Sequence, residues 1–360
     1  MSSLNHLFQI WHNILINFEG MQELAIQYKS RNYDKRQSLT QFSHQESNLI
    51  RFNSYIKIIK LLIQQIRINK NITTIRDFYY RDVQVFQGKS SNCKDTLVSI
   101  VEHSLQLSLE KDFNIYPSQK GLMYGNFKLR STSSRIVIDL HYESEPSMIP
   151  LLTPDIEAAV ASYSVGETPM VILVEKEAVF KSFCYFIQNS AQHERDIPRN
   201  MIIITGKGFP DLLTRRFVNL LDKKLPRETS FLGFVDSDVY GLNILQNYRF
   251  GSRTATVPGL SKLRYAGVYL LDYCHGWLEI TERDRSLMVS SIRKLLSLDE
   301  DSETRHIHRE ITRGLVLLKK CEMNVYNEAG TVATTGMNNY ILGKIKYFAP
   351  RPRDLLPHFT

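Results

Sequence analysis

The chain has 360 residues, 43% of them hydrophobic and 23% charged, an ordinary globular composition with length enough for two domains, each with its own core. Its formal net charge of +8 favours a polyanionic partner. Four widely separated cysteines show neither zinc-ligand spacing nor a disulfide framework, which points to a reducing compartment, and no apolar run approaches the ~20 residues that would span a bilayer, so no membrane partner is expected.

The opening stretch, MSSLNHLFQIWHNILINF, lacks a basic n-region and a small-residue cleavage site, and so does not read as a signal peptide. Leu4, Leu7, Phe8, Trp11, Leu15, Phe18, Met21 and Ala25 recur at helical spacing, which predicts a helix with one apolar face. Such a helix docks either on its own domain or on a partner. Residues 28–48 are polar and aperiodic and are expected to be a linker, giving a first segment of helix plus linker over 1–48.

Residues 49–66 read as a buried helix. Thr74 offers an N-cap with Asp77 at the third helical position, opening a short helix through IRDFYYRDV. Ser91 is expected to cap a third helix over 92–111. Short extended pieces follow, FNIYPS, GLMYGNF and RIVIDL, with a turn-like SQKG between the first two. Three helices followed by a small sheet describe a winged-helix domain over 49–145.

The pattern changes after about residue 165. Apolar runs of strand length begin at 169, 200, 230 and 265, and each is followed by a helical stretch. Strands alternating with helices predict a mostly parallel sheet covered on both faces, over 165–330. A basic extension with KIKYFAPRPRD closes the chain over 331–360, where it would touch the polyanion or simply be solvated.

Acidic residues stand at the ends of two of those strands: Glu175 at the first, Asp236 and Asp238 at the third in FVDSDVYG. Ligands bind at the carboxyl ends of strands in open α/β sheets. An Asp-X-Asp on extended backbone points both carboxylates one way, and three hard oxygen ligands suit Mg²⁺. The plainer alternative is that Asp236 or Asp238 caps the helix that follows. ITGKGFPDLLTRR, at 204–216, is not a Walker A loop, so ATP hydrolysis is not expected. Its glycines and Lys207 would let backbone approach a phosphate, or would simply make a tight strand-to-helix turn. His306 and His308, two apart on a helix, face different ways. His275 beside Cys274 lacks ligand spacing.

TTIRDFYYRD, at 73–82, sets two tyrosines side by side. Each is either a packing residue or a nucleophile. Arg76 lies four positions before Tyr80, so a helix puts both on one face.

Taken in order, RDFYY, VEKEAVF, ITGKGFPDLLTR and DSDVYG strongly resemble the meiotic DNA double-strand-break proteins, eukaryotic relatives of the topoisomerase VI A-subunit, with wording nearest to fungal members. The resemblance covers roughly residues 49–330, including NIYPSQKGLMYG. It implies an α/β multidomain protein: a winged-helix, catabolite-activator-like domain followed by a Toprim domain. It implies Tyr80 as nucleophile, with Tyr79 in a slot that accepts either aromatic, and Arg76 at the scissile phosphate. It assigns Glu175, Asp236 and Asp238 to Mg²⁺, and places Lys120, Lys207 and Phe209 against DNA. A homodimer at cleavage, meiotic accessory proteins including a topoisomerase VI B-like partner, and a nuclear, chromosome-associated location follow from the same likeness. A cleavage-inactive scaffold relative and a Toprim primase or nuclease stay open as alternatives.

Overall fold

A computed structural model describes residues 2–29, 36–67, 71–130, 136–163, 168–190, 197–251, 257–272, 276–298, 301–324 and 335–349. The chain divides into two compact units, Met1–Ser118 and Gln119–Thr360.

In the first unit, helix α1 (Ser2–Glu19) turns Leu7, Ile10, Trp11 and Ile14 onto the core. Phe8, Leu15 and Phe18, expected on the same face, are exposed, because the docked stripe is rotated about one residue from the one read in the sequence. The stretch expected to be a linker instead holds β2 (Arg36–Thr40), which pairs antiparallel with β1 (Ala25–Lys29), with Ile26 opposite Leu39. Strand β1 takes up Ala25, where the helix was expected to reach. Ile26, Tyr28 and Leu39 alternate into the core and polar residues separate them, so the period of two was diluted below recognition. Helix α2 (Glu46–Arg67) buries Phe52, Tyr55, Ile58, Ile59 and Leu62.

Strand β3 (Thr73–Thr74) leads into α3 (Ile75–Tyr80), and a capping box fixes that junction. The Asp77 amide donates to Thr74 Oγ1 at 3.1 Å while the Thr74 amide donates to Asp77 Oδ2 at 2.7 Å. Helix α4 (Ser90–Val98) starts after Lys89, so Ser91 is inside the helix and does not cap it. The expected single helix over 92–111 is broken. A π-helical turn spans Ser99–Ser104, with the Leu105 amide reaching Ile100 O at 2.9 Å, and α5 (Leu109–Phe113) follows as a separate piece capped by Ser108. A π turn widens the helix by one residue, and here it sets the Ser99 hydroxyl 2.6 Å from Tyr55 Oη. Strand β4 (Ile115–Tyr116) pairs in parallel with β3.

The extended pieces expected within 49–145 divide between the units, with β4 in the first and those after it in the second. Strands β5 (Leu122–Gly125), β6 (Phe127–Arg130), β7 (Ile136–Leu140), β8 (Ser147–Met148) and β9 (Val160–Ser162), with helix α6 (Pro154–Ala158), belong to the second unit. Strands β7, β6 and β9 make a small antiparallel sheet.

The main sheet uses β10 (Met170–Val174), β11 (Met201–Thr205), β12 (Ser230–Phe234) and β13 (Leu263–Gly267), in the order β13-β12-β10-β11-β5-β8. The first four are parallel, and β5 and β8 extend the sheet antiparallel. The sheet is therefore mixed. Helices α8 (Leu212–Lys224), α9 (Val239–Phe250), α10 (Glu282–Leu296) and α11 (Ser302–Leu317) supply one face with Phe217, Leu245, Met288 and Ile311. On the other face α7 (Glu177–Ser190) supplies Phe180 and Phe183. A short pair, β14 (Leu278–Glu279) with β15 (Lys319–Lys320), leads out of α11.

Part of the expected terminal extension is core. Helix α12 (Thr335–Phe348) buries Met337, Ile341 and Ile345 against the α7 face, because its basic residues lie between apolar ones at helical spacing. Residues 350–360, Cys274 and His275 lie outside the described residues. No helix among the described residues is long and apolar enough to cross a membrane.

Candidate DNA-cleavage site

The short helix α3 sorts its aromatic residues by depth. Phe78 is fully buried and Tyr79 packs partly buried against that core, its ring 6.4 Å from Phe86. Tyr80 is 58% exposed. The Arg76 guanidinium donates to Tyr80 Oη from Nε at 3.1 Å and from Nη2 at 3.0 Å. One turn of helix makes this contact, and the capping box ahead of it fixes where the turn begins. Of the two tyrosines, Tyr79 packs and Tyr80 presents a phenol oxygen held by a permanent cation.

In the second unit, Glu175 follows β10 and Asp236 lies two residues beyond β12. Neighbouring parallel strands bring them together: the Asp236 amide donates to Glu175 Oε2 at 2.9 Å. Asp236 is 5% exposed. Its Oδ1 accepts from the Met323 amide at 2.8 Å, and its Oδ2 lies 2.9 Å from Lys176 Nζ. Lys176 also reaches Glu322 Oε2 at 2.9 Å. Asp238 caps α9, its Oδ1 accepting from the Gly241 amide at 2.7 Å. The capping alternative therefore holds for Asp238 and not for Asp236.

The electrostatics match this crowding. Burial first, and then the Asp236 charge, push the Glu175 carboxyl up to about 7. Burial also raises Asp236 and Asp238 above the usual carboxylate range. Gly241 makes the approach of α9 feasible: a Cβ there would lie 2.4 Å from Asp236 O and 2.9 Å from Glu175 Oε2. Among the described residues, no three acidic, histidine or cysteine side chains converge as a metal-holding group. Glu175 and Asp236 do offer adjacent, desolvated oxygen donors with surplus negative charge, which fits a hard divalent cation that keeps several waters.

The loop 206–210 runs beside these carboxylates. The Gly208 amide donates to Glu175 O at 3.0 Å. Lys207 and Gly208 have φ of 54° and 85°, the left-handed turn that glycine tolerates. The expected tight strand-to-helix turn is thus present, and Asp211 caps the helix beyond it. Lys207 Nζ lies 3.2 Å from Glu177 Oε1. Phe209 is 49% exposed, and its carbonyl accepts from Lys120 Nζ at 3.0 Å. Lys120, Lys207 and Phe209 therefore gather at the loop that bonds to the Glu175 backbone. His306 is exposed and His308 half-buried, in no such group.

Lys176, Glu322 and the Met323 amide were not singled out from sequence. Lys176 follows Glu175 directly in VEKEAVF and was legible as a neighbour. Glu322 lies 146 residues from Lys176, and the Ser237–Cys321 bridge and the Met323 hydrogen bond to Asp236 bring it in.

A model of the Toprim domain of the topoisomerase 6 A-subunit/Spo11 family matches residues 170–345, and a model of type IIB DNA topoisomerase matches residues 50–115. The chain is 29% identical to the meiosis-specific protein SPO11 of Saccharomyces cerevisiae, over 75% of this chain and 70% of that protein. It is 28% identical to the meiotic recombination protein rec12 of Schizosaccharomyces pombe, over 72% and 69%. It is also 28% identical to the type 2 DNA topoisomerase 6 A-subunit of Aeropyrum pernix, over 59% and 54%. Both family models fall on the two sites just described, one in each unit, and the chain belongs to the topoisomerase 6 A-subunit/Spo11 family of type IIB topoisomerase-like, DNA-cleaving enzymes.

Proposed function

We propose that this protein makes meiotic double-strand breaks by transesterification, with Tyr80 as nucleophile. The observation that carries this reading is the two-pronged contact from Arg76 to Tyr80 Oη on an exposed helix. A neutral phenol is a poor nucleophile, and an adjacent guanidinium stabilises the negative charge that develops on its oxygen during attack. The same guanidinium can pass one of its donors to a non-bridging phosphate oxygen as DNA arrives. Tyr80 Oη then bonds to phosphorus in line as the bond from phosphorus to the 3′ oxygen breaks. The products are a 5′-phosphotyrosyl link and a 3′ hydroxyl, and the phenolic proton leaves through solvent to the 3′ oxygen. No water or ATP is consumed.

Glu175 and Asp236 are the residues that would hold Mg²⁺, with Asp238 as a further oxygen if it leaves its cap. When bound, the ion supplies charge neutralisation at the scissile phosphate and the leaving oxygen. Lys120, Lys207 and Phe209 mark the loop along which the DNA backbone and a base step would run. The first unit, with its helices and the short β3–β4 pair, is read as the winged-helix domain. Tyr80 and the carboxylates lie in different units of the chain, which supports a homodimer in which each composite site draws on both protomers. A topoisomerase VI B-like protein and meiotic accessory proteins are the partners this reading implies, on chromosomes in the nucleus.

The test is recovery of a covalent adduct. End-labelled duplex incubated with the protein and its assembly partners in Mg²⁺ should give a peptide linked to a 5′ phosphate through Tyr80. An adduct on Tyr79, or breaks bearing free 5′ phosphates from a hydrolytic cut, would overturn the reading.

A further inference from the structure

The two ligands proposed above leave Lys176 unexplained. Its side chain is 23% exposed, and its ammonium sits 2.9 Å from Asp236 Oδ2 and 2.9 Å from Glu322 Oε2. The other oxygen of Asp236 already accepts from the Met323 amide. Both Asp236 oxygens therefore hold donors, and the one facing Lys176 is the one a cation must take over. Glu322 is 40% exposed and rides on a segment tied to the Asp-Ser-Asp stretch: the Ser237 amide donates to Cys321 O at 2.8 Å, and the Cys321 amide to Ser237 O at 3.1 Å. The partner that Lys176 keeps after leaving Asp236 is thus fixed in place.

We propose that Lys176 is a displaceable internal cation, shared between Asp236 and Glu322, that a divalent ion drives onto Glu322 alone when it takes Asp236 Oδ2. The proposal rests on the reading of Glu175 and Asp236 as metal ligands. Lysine suits the task, because its charge is compact and its four-carbon stem can swing without losing the Glu322 contact. Against a fixed guanidinium a metal would have to break a fork of bonds. Against Lys176 it breaks one. Lys176 is here a positioning residue, acting through Asp236, and it sets the metal concentration at which the site fills.

Titration of Mn²⁺ into the full-length protein, followed by calorimetry, separates the cases, with thermal melting as a check on folding. Lys176→Met removes the competitor and should tighten Mn²⁺ binding roughly 10-fold, the scale of one opposite charge within ~4 Å of a carboxylate. Lys176→Gln, which keeps a donor without the charge, should shift it the same way by less, and serves if the methionine variant does not fold. Glu322→Gln removes the second negative charge that holds the ammonium, leaving Asp236 as its charged partner, and should weaken binding. The same Glu322→Gln change in a Lys176→Met background should do nothing, since Glu322 acts through Lys176. Weaker or unchanged Mn²⁺ binding by both Lys176 variants overturns the proposal, as does a Glu322→Gln effect of equal size in both backgrounds. Asp236→Asn tells these failures apart from failure of the metal reading: it should abolish Mn²⁺ binding, and wild-type affinity in that variant would remove the metal site itself.

Discussion

Arg76 and Tyr80 are joined by two hydrogen bonds, from Nε at 3.1 Å and Nη2 at 3.0 Å, both ending on the phenol oxygen. The Arg76 Cζ also lies over the Tyr80 ring, 5.5 Å from its centroid, so the guanidinium meets both the ring and its hydroxyl. A lysine in its place carries its donors on one nitrogen and lacks the planar fork that sets phenol and phosphate in a fixed mutual geometry. Arg76→Lys should therefore keep folding and DNA binding yet lose most cleavage, and Arg76→Ala should cost about 10²–10³-fold, the usual loss when one preorganised donor is removed. Adduct yield per unit of bound DNA measures this. Equal yields from wild type and Arg76→Ala would remove Arg76 from the chemistry.

The neighbouring tyrosines should separate cleanly. Tyr80 is 58% exposed, so Tyr80→Phe removes a hydroxyl with no burial to lose and should leave the melting temperature unchanged while abolishing the adduct. Tyr79→Phe retains the ring that packs on the core and should retain cleavage. Loss of the adduct in both variants would mean that the helix, and not one hydroxyl, is what cleavage needs.

The capping box gives α3 a pH signature. Hydrogen bonding, chiefly from the Thr74 amide, holds the Asp77 carboxyl below its ordinary value. A carboxyl lowered in the folded state contributes stability that is fully present above its unfolded pKa of ~3.9 and is lost as pH falls through the folded value. Thr74→Ala should cost about 1 kcal/mol at neutral pH. The difference in melting temperature between wild type and Asp77→Ala should shrink as pH drops from ~5 toward ~2.5. A difference that stays constant across that window would show that the carboxylate charge is not what the cap uses.

Packing at the carboxylate pair can be tested without touching a carboxylate. A Cβ on Gly241 would meet Asp236 O at 2.4 Å and Asp236 N at 2.8 Å, both backbone atoms that cannot rotate away. Gly241→Ala should therefore push α9 from the end of β12, at a cost of roughly 1–3 kcal/mol. It should also weaken divalent-ion binding, since Glu175 Oε2 lies 2.9 Å from the same point. Wild-type melting and wild-type ion affinity together would mean that α9 can give way freely.

What the sequence disclosed follows from the range of the forces involved. The cap at Thr74 and Asp77, and the alternation of strand and helix from Met170 onward, depend on neighbours within a few residues, and both were legible. So was the shared face of Arg76 and Tyr80. The place of β5 was not, because GLMYGNF pairs with β11 some eighty residues later and nothing local distinguishes that from a wing strand. The π turn at Ser99–Ser104 is likewise set by tertiary fit, with Tyr55 meeting Ser99. Of the acidic trio, Glu175 and Asp236 meet through strand pairing, whereas Asp238 turns to α9, a division that the spacing of Asp-X-Asp does not announce.

The homodimer reading makes a claim about complementation. Tyr80 belongs to the unit Met1–Ser118, and Glu175 and Asp236 to the unit Gln119–Thr360. If each composite site takes its tyrosine from one protomer and its carboxylates from the other, two inactive proteins can restore one site. Tyr80→Phe supplies intact carboxylates, and Glu175→Gln supplies an intact tyrosine. Glutamine is the better choice at 175, because its amide oxygen can still accept from the Asp236 amide, which alanine would leave unsatisfied. In a mixed dimer one composite site then pairs wild-type Tyr80 with wild-type Glu175, and the other lacks both. The mixture should nick a single strand of the duplex, with the adduct carried only by the Glu175→Gln protomer, and each variant alone should give none. Tagging the two proteins differently shows which one carries the label. If mixed dimers form, wild-type protein cleaves under the same conditions, and the mixture gives no nick, the site lies within one protomer and the shared-site model is wrong.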